Sequence, residues 1–117
     1  MSRLARILEV KRQEVDVLCR QDRSGAYREP IDVVRTLQRP EGTALRLIAE
    51  VKLRSPSAGP LSRKLSPGDR ALAYAESGAS MVSILCDGPF FDGSWEHLAQ
   101  ARACLDRRGE PFPILAK

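Results

Sequence analysis

Three charged residues sit where short apolar runs end: Glu50 and Lys52 after Leu45–Ala49, and Lys117 after Pro111–Ala116. Strand residues two apart point to the same side, so Glu50 and Lys52 are expected to face one way. A lysine in a cleft binds anions or, with its pKa lowered, moves protons. The same residues equally fit a plainer reading, as solvated charges at strand ends. Ser55-Pro56-Ser57 follows the first pair and by itself suits an ordinary turn. Phe90 and Phe91, in a later loop, suit packing between that loop and the strands. Other chemistries have less to work with. His97 is the single histidine, in a helical stretch, so a surface role is expected rather than a triad or a multi-histidine metal site. Cys19, Cys86 and Cys104 have neither disulfide-framework nor zinc spacing, and reduced thiols in a cytoplasmic setting are the simplest account. No metal and no cofactor are expected.

The elements that must position these residues follow from periodicity. Leu4, Ile7, Leu8, Val15 and Leu18 line one face of a helix. A polar break follows, with Asp22, Ser24 and Gly25 as turn formers. Pro30 suits the first turn of a second helix carrying Ile31, Val34 and Leu37, which Arg39–Gly42 ends. The pattern then changes. Residues 45–52 read as a buried strand, 55–67 as a loop, and 69–78 as a helix with Ala71, Leu72 and Ala75 inward and Gly78 as its stop. Residues 80–85 give a second strand and 86–93 a loop. Ser94 caps a helix to about Arg108, ended by Gly109, and 111–117 open a third strand.

Strands alternating with single helices predict a parallel sheet. The strand ends near Lys52, Leu85 and Lys117 recur every 32–33 residues, and eight such units would make the roughly 250 residues of a (β/α)8 barrel. The predicted class is therefore α/β, an incomplete (β/α)8 TIM barrel. A helical extension occupies residues 1–44, and three strands with two helices, about two and a half βα units, occupy 45–117. A doubly wound sheet is the rival, but no GxGxxG or Walker-type loop follows the first strand. The sequence stops on an apolar strand with nothing to cover it, so a partial chain is expected, and its open sheet edges would allow self-association.

Composition agrees with a globular protein, at 43% hydrophobic and 29% charged residues. No apolar run reaches the roughly 18 residues of a membrane span, so no membrane partner is expected. The N-terminal arginines faintly suggest a transit peptide, but Glu9, Glu14 and Asp16 oppose it. The net charge of +4 is scattered among fifteen acids, with few aromatics for stacking. A small anionic substrate and a nucleic acid suit that balance equally; nucleic acid is not expected as a partner because the sequence has neither a basic stripe nor a recognisable reader motif.

Taken jointly, the motifs are more specific. Ile48-Ala49-Glu50-Val51-Lys52-Leu53-Arg54-Ser55-Pro56-Ser57 resembles the first-strand signature of indole-3-glycerol-phosphate synthases, an ExK followed by SPS. Ser83 through Ser94 is similar to the family's SxLTD..FFxGS segment, with Cys86 in place of threonine and Gly88-Pro89 in place of a polar pair. Pro113-Ile114-Leu115-Ala116-Lys117 is similar to its P-[IV]-L-x-K. The resemblance covers essentially the whole chain.

It implies a carboxy-lyase of tryptophan biosynthesis acting on a small phosphorylated substrate, 1-(2-carboxyphenylamino)-1-deoxyribulose 5-phosphate. By that resemblance Lys117 is the general acid, and Lys52 engages the substrate carboxylate and assists the later dehydration. Glu50 positions the lysines, Ser55 contacts the phosphate, and Leu85 and Phe91 lie beside the aromatic ring. The family's general-base glutamate, its asparagine partner and the late phosphate loops have no counterpart within 117 residues, so the chain alone is expected to be inactive. Two other readings stay open: a barrel aldolase using Lys117 as a Schiff base, and a non-catalytic βα fragment that self-associates or complements a partner fragment.

Overall fold

The computed structural model describes residues 2–21, 25 and 28–117. Asp22 and Ser24, expected in a turn, lie outside the described residues. The chain divides into two compact units, Met1–Pro30 and Ile31–Lys117.

The first unit is built on α1 (Arg3–Leu18), entered through Ser2, whose side chain accepts a hydrogen bond from the Ala5 N–H at 3.1 Å. The apolar stripe predicted for it is present. No residue of the helix is buried, and Leu4 and Val15 are more than half exposed.

In the second unit, α2 (Val33–Leu37) begins three residues later than Pro30 predicts. The Asp32 carboxylate accepts from the Arg35 N–H at 2.9 Å, so the side chain able to cap the helix sets its start. A three-stranded parallel sheet follows, in the order β1 (Ile48–Val51), β4 (Met81–Ile84), β5 (Ile114–Ala116). The first strand is shorter than the apolar run suggests. β4 starts at Met81, so residues before Leu47 have no strand beside them, and Leu45 is left exposed.

Two helices cover one face of this sheet. They are α3 (Pro67–Glu76) and α5 (Trp95–Asp106), and the core between the layers holds Val51, Ala71, Ala75, Val82, Ile84, Ala101, Leu105 and Phe112. Alanines at the helix contact let α3 and α5 approach closely. One close approach is at Gly68, where an added Cβ would lie 2.8 Å from Cys104 Sγ and 3.1 Å from the Gln100 carbonyl oxygen. α3 starts two residues before the predicted Asp69, because Ser66 accepts from the Asp69 N–H and Pro67 fills the first turn.

Two short elements have no counterpart in the sequence-based expectation. The Ser-, Pro- and Gly-rich stretch after β1 folds into an antiparallel ribbon, β2 (Arg54–Ser55) with β3 (Gly59–Pro60). After β4 comes a single helical turn, α4 (Gly88–Phe91), capped by the Asp87 carboxylate accepting from the Phe90 N–H at 3.0 Å. Among the described residues of this unit no helix lies on the opposite face of the sheet, and Ile48 and Leu115 there are 48% and 44% exposed. The sheet does not close on itself.

Candidate active site

The uncovered face of the sheet carries the polar residues. Val51, Val82 and Ile84 point into the core beneath the helices, so alternation turns Glu50, Ser83 and Lys52 to the other side. Glu50 stands opposite Ser83 in register, and Ser83 opposite Leu115. One step further along, the register aligns Lys52, Leu85 and Lys117 at the C-terminal ends of the three strands.

Glu50 joins the two lysines. Lys52 Nζ lies 3.0 Å from Glu50 Oε1, and Lys117 Nζ donates to Oε2 at 2.8 Å. Glu50 lies in β1 and Lys117 just past the end of β5, the two strands that flank β4, so this second contact spans the sheet. Burial pushes the Glu50 carboxyl up, but hydrogen bonds from Lys117 and Lys52 and their positive charges outweigh it. The net effect holds Glu50 below the usual glutamate range, as a carboxylate. Two ammonium groups around one carboxylate leave the cluster net positive, which suits an anionic ligand.

The other predicted residues occupy different settings. Leu85 is buried at the end of β4. Ser55 takes part in a local turn, where its Oγ accepts from the Ala58 N–H at 3.0 Å and lies 3.3 Å from Ser57 Oγ. Phe91 is half-buried in α4. The structure therefore brings Glu50, Lys52 and Lys117 into direct contact and leaves Ser55 and Phe91 on two adjoining loops.

Those loops are tied by a residue that sequence reasoning missed. Asp92 lies 3.5 Å from Arg54 Nη1 and accepts from Arg63 Nη2 at 2.6 Å, linking the ends of the β2–β3 ribbon to the turn bearing Phe91. Asp92 adopts φ 53°, the left-handed conformation that ends α4. Next to it, Gly93 packs its backbone where an added Cβ would stand 2.2 Å from the Leu85 carbonyl oxygen. The FFxGS-like pattern thus has a steric reason for its glycine. The only sequence signal for the clamp is opposite charge in two separate motifs.

Cys86, at the end of β4, is held to the third strand by its N–H donating to the Lys117 carbonyl at 2.7 Å. Burial pushes its thiol up, partly countered by a separate hydrogen bond between the thiol and the Lys117 backbone. Cys19, Cys86 and Cys104 are all free. Among the described residues no three His, Cys, Asp or Glu side chains cluster as a metal site would need, and no helix is long and apolar enough to cross a membrane.

Parallel βα units with their charged side chains gathered at the strand ends define an α/β chain of (β/α)8-barrel type, unclosed here. The family model described as "Indole-3-glycerol phosphate synthase" matches residues 3–110, and the chain belongs to that family. It is 42% identical over 124 aligned residues to the indole-3-glycerol phosphate synthase of Chlorobium phaeovibrioides, with 100% of this chain and 46% of the relative covered. The enzyme of the same name from Exiguobacterium sibiricum is 40% identical, with 100% and 43% covered. That from a Roseiflexus species is 41% identical, with 94% and 41% covered. The chain spans less than half the length of these curated relatives.

Proposed function

We propose that this chain supplies the first strands and part of the catalytic cluster of an indole-3-glycerol-phosphate synthase, a carboxy-lyase. The observation that carries the reading is the Glu50 carboxylate bridging Lys52 and Lys117 across the strand ends. The substrate is 1-(2-carboxyphenylamino)-1-deoxyribulose 5-phosphate. Its ring carbon bearing the carboxylate attacks the ribulose carbonyl, carbon dioxide leaves, and loss of water completes the indole. Lys117 donates a proton to the carbonyl oxygen and offsets negative charge building there. Lys52 pairs with the substrate carboxylate and assists the dehydration, while Glu50 orients both ammonium groups.

Ser55, on the ribbon after β1, contacts the phosphate, and Leu85 and Phe91 flank the aromatic ring. Residues 1–44 form a helical extension and 45–117 the first βα units of the barrel. The unpaired thiols of Cys19, Cys86 and Cys104 support a reducing, cytoplasmic setting. The family match and the cluster geometry support these assignments. A chain spanning under half the length of its relatives is inactive alone on this reading.

The test is a synthase assay on the 117-residue chain by itself, then mixed with a separately expressed complementary part of the barrel. Activity is expected in the mixture only, and Lys117→Ala should abolish it. An inactive mixture, together with concentration-dependent sedimentation of the chain alone, would favour a self-associating fragment over the synthase reading.

A further inference from the structure

The face that carries Glu50 holds one more polar side chain, and none of the roles above uses it. Ser83 lies opposite Glu50 in the parallel register of β1 and β4. Its neighbours Val82 and Ile84 are core residues beneath the helices, so the Ser83 side chain projects to the Glu50 side. Ser83 is 3% exposed, and its Oγ is buried with no hydrogen-bond partner among the described residues. Native folds seldom leave a buried hydroxyl unpaired, because it loses water and gains nothing in return. An alanine would fill nearly the same space without that penalty. The hydroxyl therefore calls for an explanation in a state other than the one in which both lysines sit on Glu50.

The cluster itself supplies that state. Glu50 is charged and partly buried, and the charged groups facing it are Lys52, from the end of β1, and Lys117, from beyond β5. β4 contributes no charge to this face, and α3 and α5 pack on the opposite one. Lys117 is the more exposed of the two lysines, with 58% of its side chain open against 34% for Lys52, and so is the freer to move. A lysine that turns to a ligand, or gives up its proton, withdraws its charge from Glu50 Oε2. The carboxylate then needs another donor or it takes up a proton itself. Neighbouring strands are about 4.8 Å apart, so a change of Glu50 rotamer brings an oxygen within reach of Ser83.

We infer that Ser83 is a positioning residue, a reserve hydrogen-bond donor that holds Glu50 in place as an anion when Lys117 leaves it. The use of this device in turnover rests on the proposed role of Lys117, but the device itself does not. A hydroxyl suits the task because it donates readily and, unlike a third ammonium, adds no charge to the cluster.

The test is a double-mutant cycle read by carbon-13 NMR titration of the Glu50 carboxyl in the 117-residue chain, without substrate. Lys117→Met imitates the absent ammonium. Ser83→Ala alone is expected to change the proton affinity of Glu50 by less than about twofold, because the lysines dominate. In the Lys117→Met background the same substitution should raise that affinity by about threefold to tenfold, the effect of losing one hydrogen bond. Equal effects of Ser83→Ala in both backgrounds would overturn the inference, since a merely structural hydroxyl alters stability without coupling to Lys117. A failed synthase assay would leave this result untouched, so the two readings fail separately.

Discussion

Glu50→Gln keeps the shape of the side chain at the centre of the cluster and removes its charge. One carboxylate oxygen becomes an NH2 that confronts an ammonium, and Lys52 and Lys117 lose the anion between them. The contacts at stake are 3.0 Å to Lys52 and 2.8 Å to Lys117, with side-chain exposures of 26% for Glu50, 34% for Lys52 and 58% for Lys117. Exposed ion pairs are worth about 0–1 kcal/mol and hydrogen bonds to charged groups about 1.5–3 kcal/mol. The partly buried Lys52 pair then contributes about 1 kcal/mol and the more exposed Lys117 pair about 0.5 kcal/mol, after allowing for screening by solvent. The variant should therefore be destabilised by about 1.5 kcal/mol at neutral pH.

The pH dependence makes the test specific to charge. Glu50 is held below its ordinary range in the fold, by lysine contacts that outweigh burial. Above the ordinary glutamate value both folded and unfolded chains carry the carboxylate, and its contribution is complete. As pH falls through that value, the unfolded chain takes up a proton first, and the contribution is lost as pH drops on through the depressed value. Glutamine does not titrate at this position, so the gap between the two proteins should close on the acid side. Urea denaturation followed by circular dichroism at several pH values measures the gap. A gap equally wide at neutral and acid pH, or no gap at neutral pH, would refute the electrostatic account.

Two further outcomes test the packing and the thiols. Gly68→Ala should cost about 1–3 kcal/mol by overpacking, because its Cβ would meet Cys104 Sγ at 2.8 Å and the Gln100 carbonyl at 3.1 Å. Thermal denaturation should show Cys104→Ala relieving part of that loss. In the native protein a thiol reagent should modify exposed Cys19 first, half-buried Cys86 later and buried Cys104 last, as mass spectrometry of timed samples would record. Early modification of Cys104 would mean that α3 and α5 separate readily.

The order of the parallel strands and their helices is legible in the sequence because it depends on local pattern. Apolar runs of strand length, the cap at Ser94, and glycines past the helix ends leave marks within a few residues. Even so, periodicity places the start of α3 at Asp69, two residues beyond the Pro67 that follows the Ser66 cap. Strand alternation by itself puts Glu50 and Lys52 on one face. The ribbon of β2 and β3 is not legible, since strands of two residues have no period to detect. Nor is the one-turn helix α4, which is stabilised by a single Asp87 cap. The Asp92 clamp depends on Arg54 and Arg63 meeting one carboxylate from another loop, a long-range fact that spacing does not encode.

Ser83 shows how a residue can be in plain sight within a motif and still carry no readable role. β1 and β5 are second neighbours in the sheet, so their backbones stand about two strand spacings apart, on the order of 9–10 Å. A 2.8 Å contact between Glu50 and Lys117 therefore requires both long side chains to lean inward over β4. Met81 and Leu85, also turned to this side, are bulky and buried, and a side chain of that size between them would obstruct the contact. Serine is small enough to let the two chains meet. It also retains a donor beneath them, which alanine would lack. The requirement comes from three strands lying side by side, and so it emerges only when the register Glu50, Ser83, Leu115 is known. The central strand thus contributes to the charged cluster by staying small and neutral, while its flanking strands supply the charges.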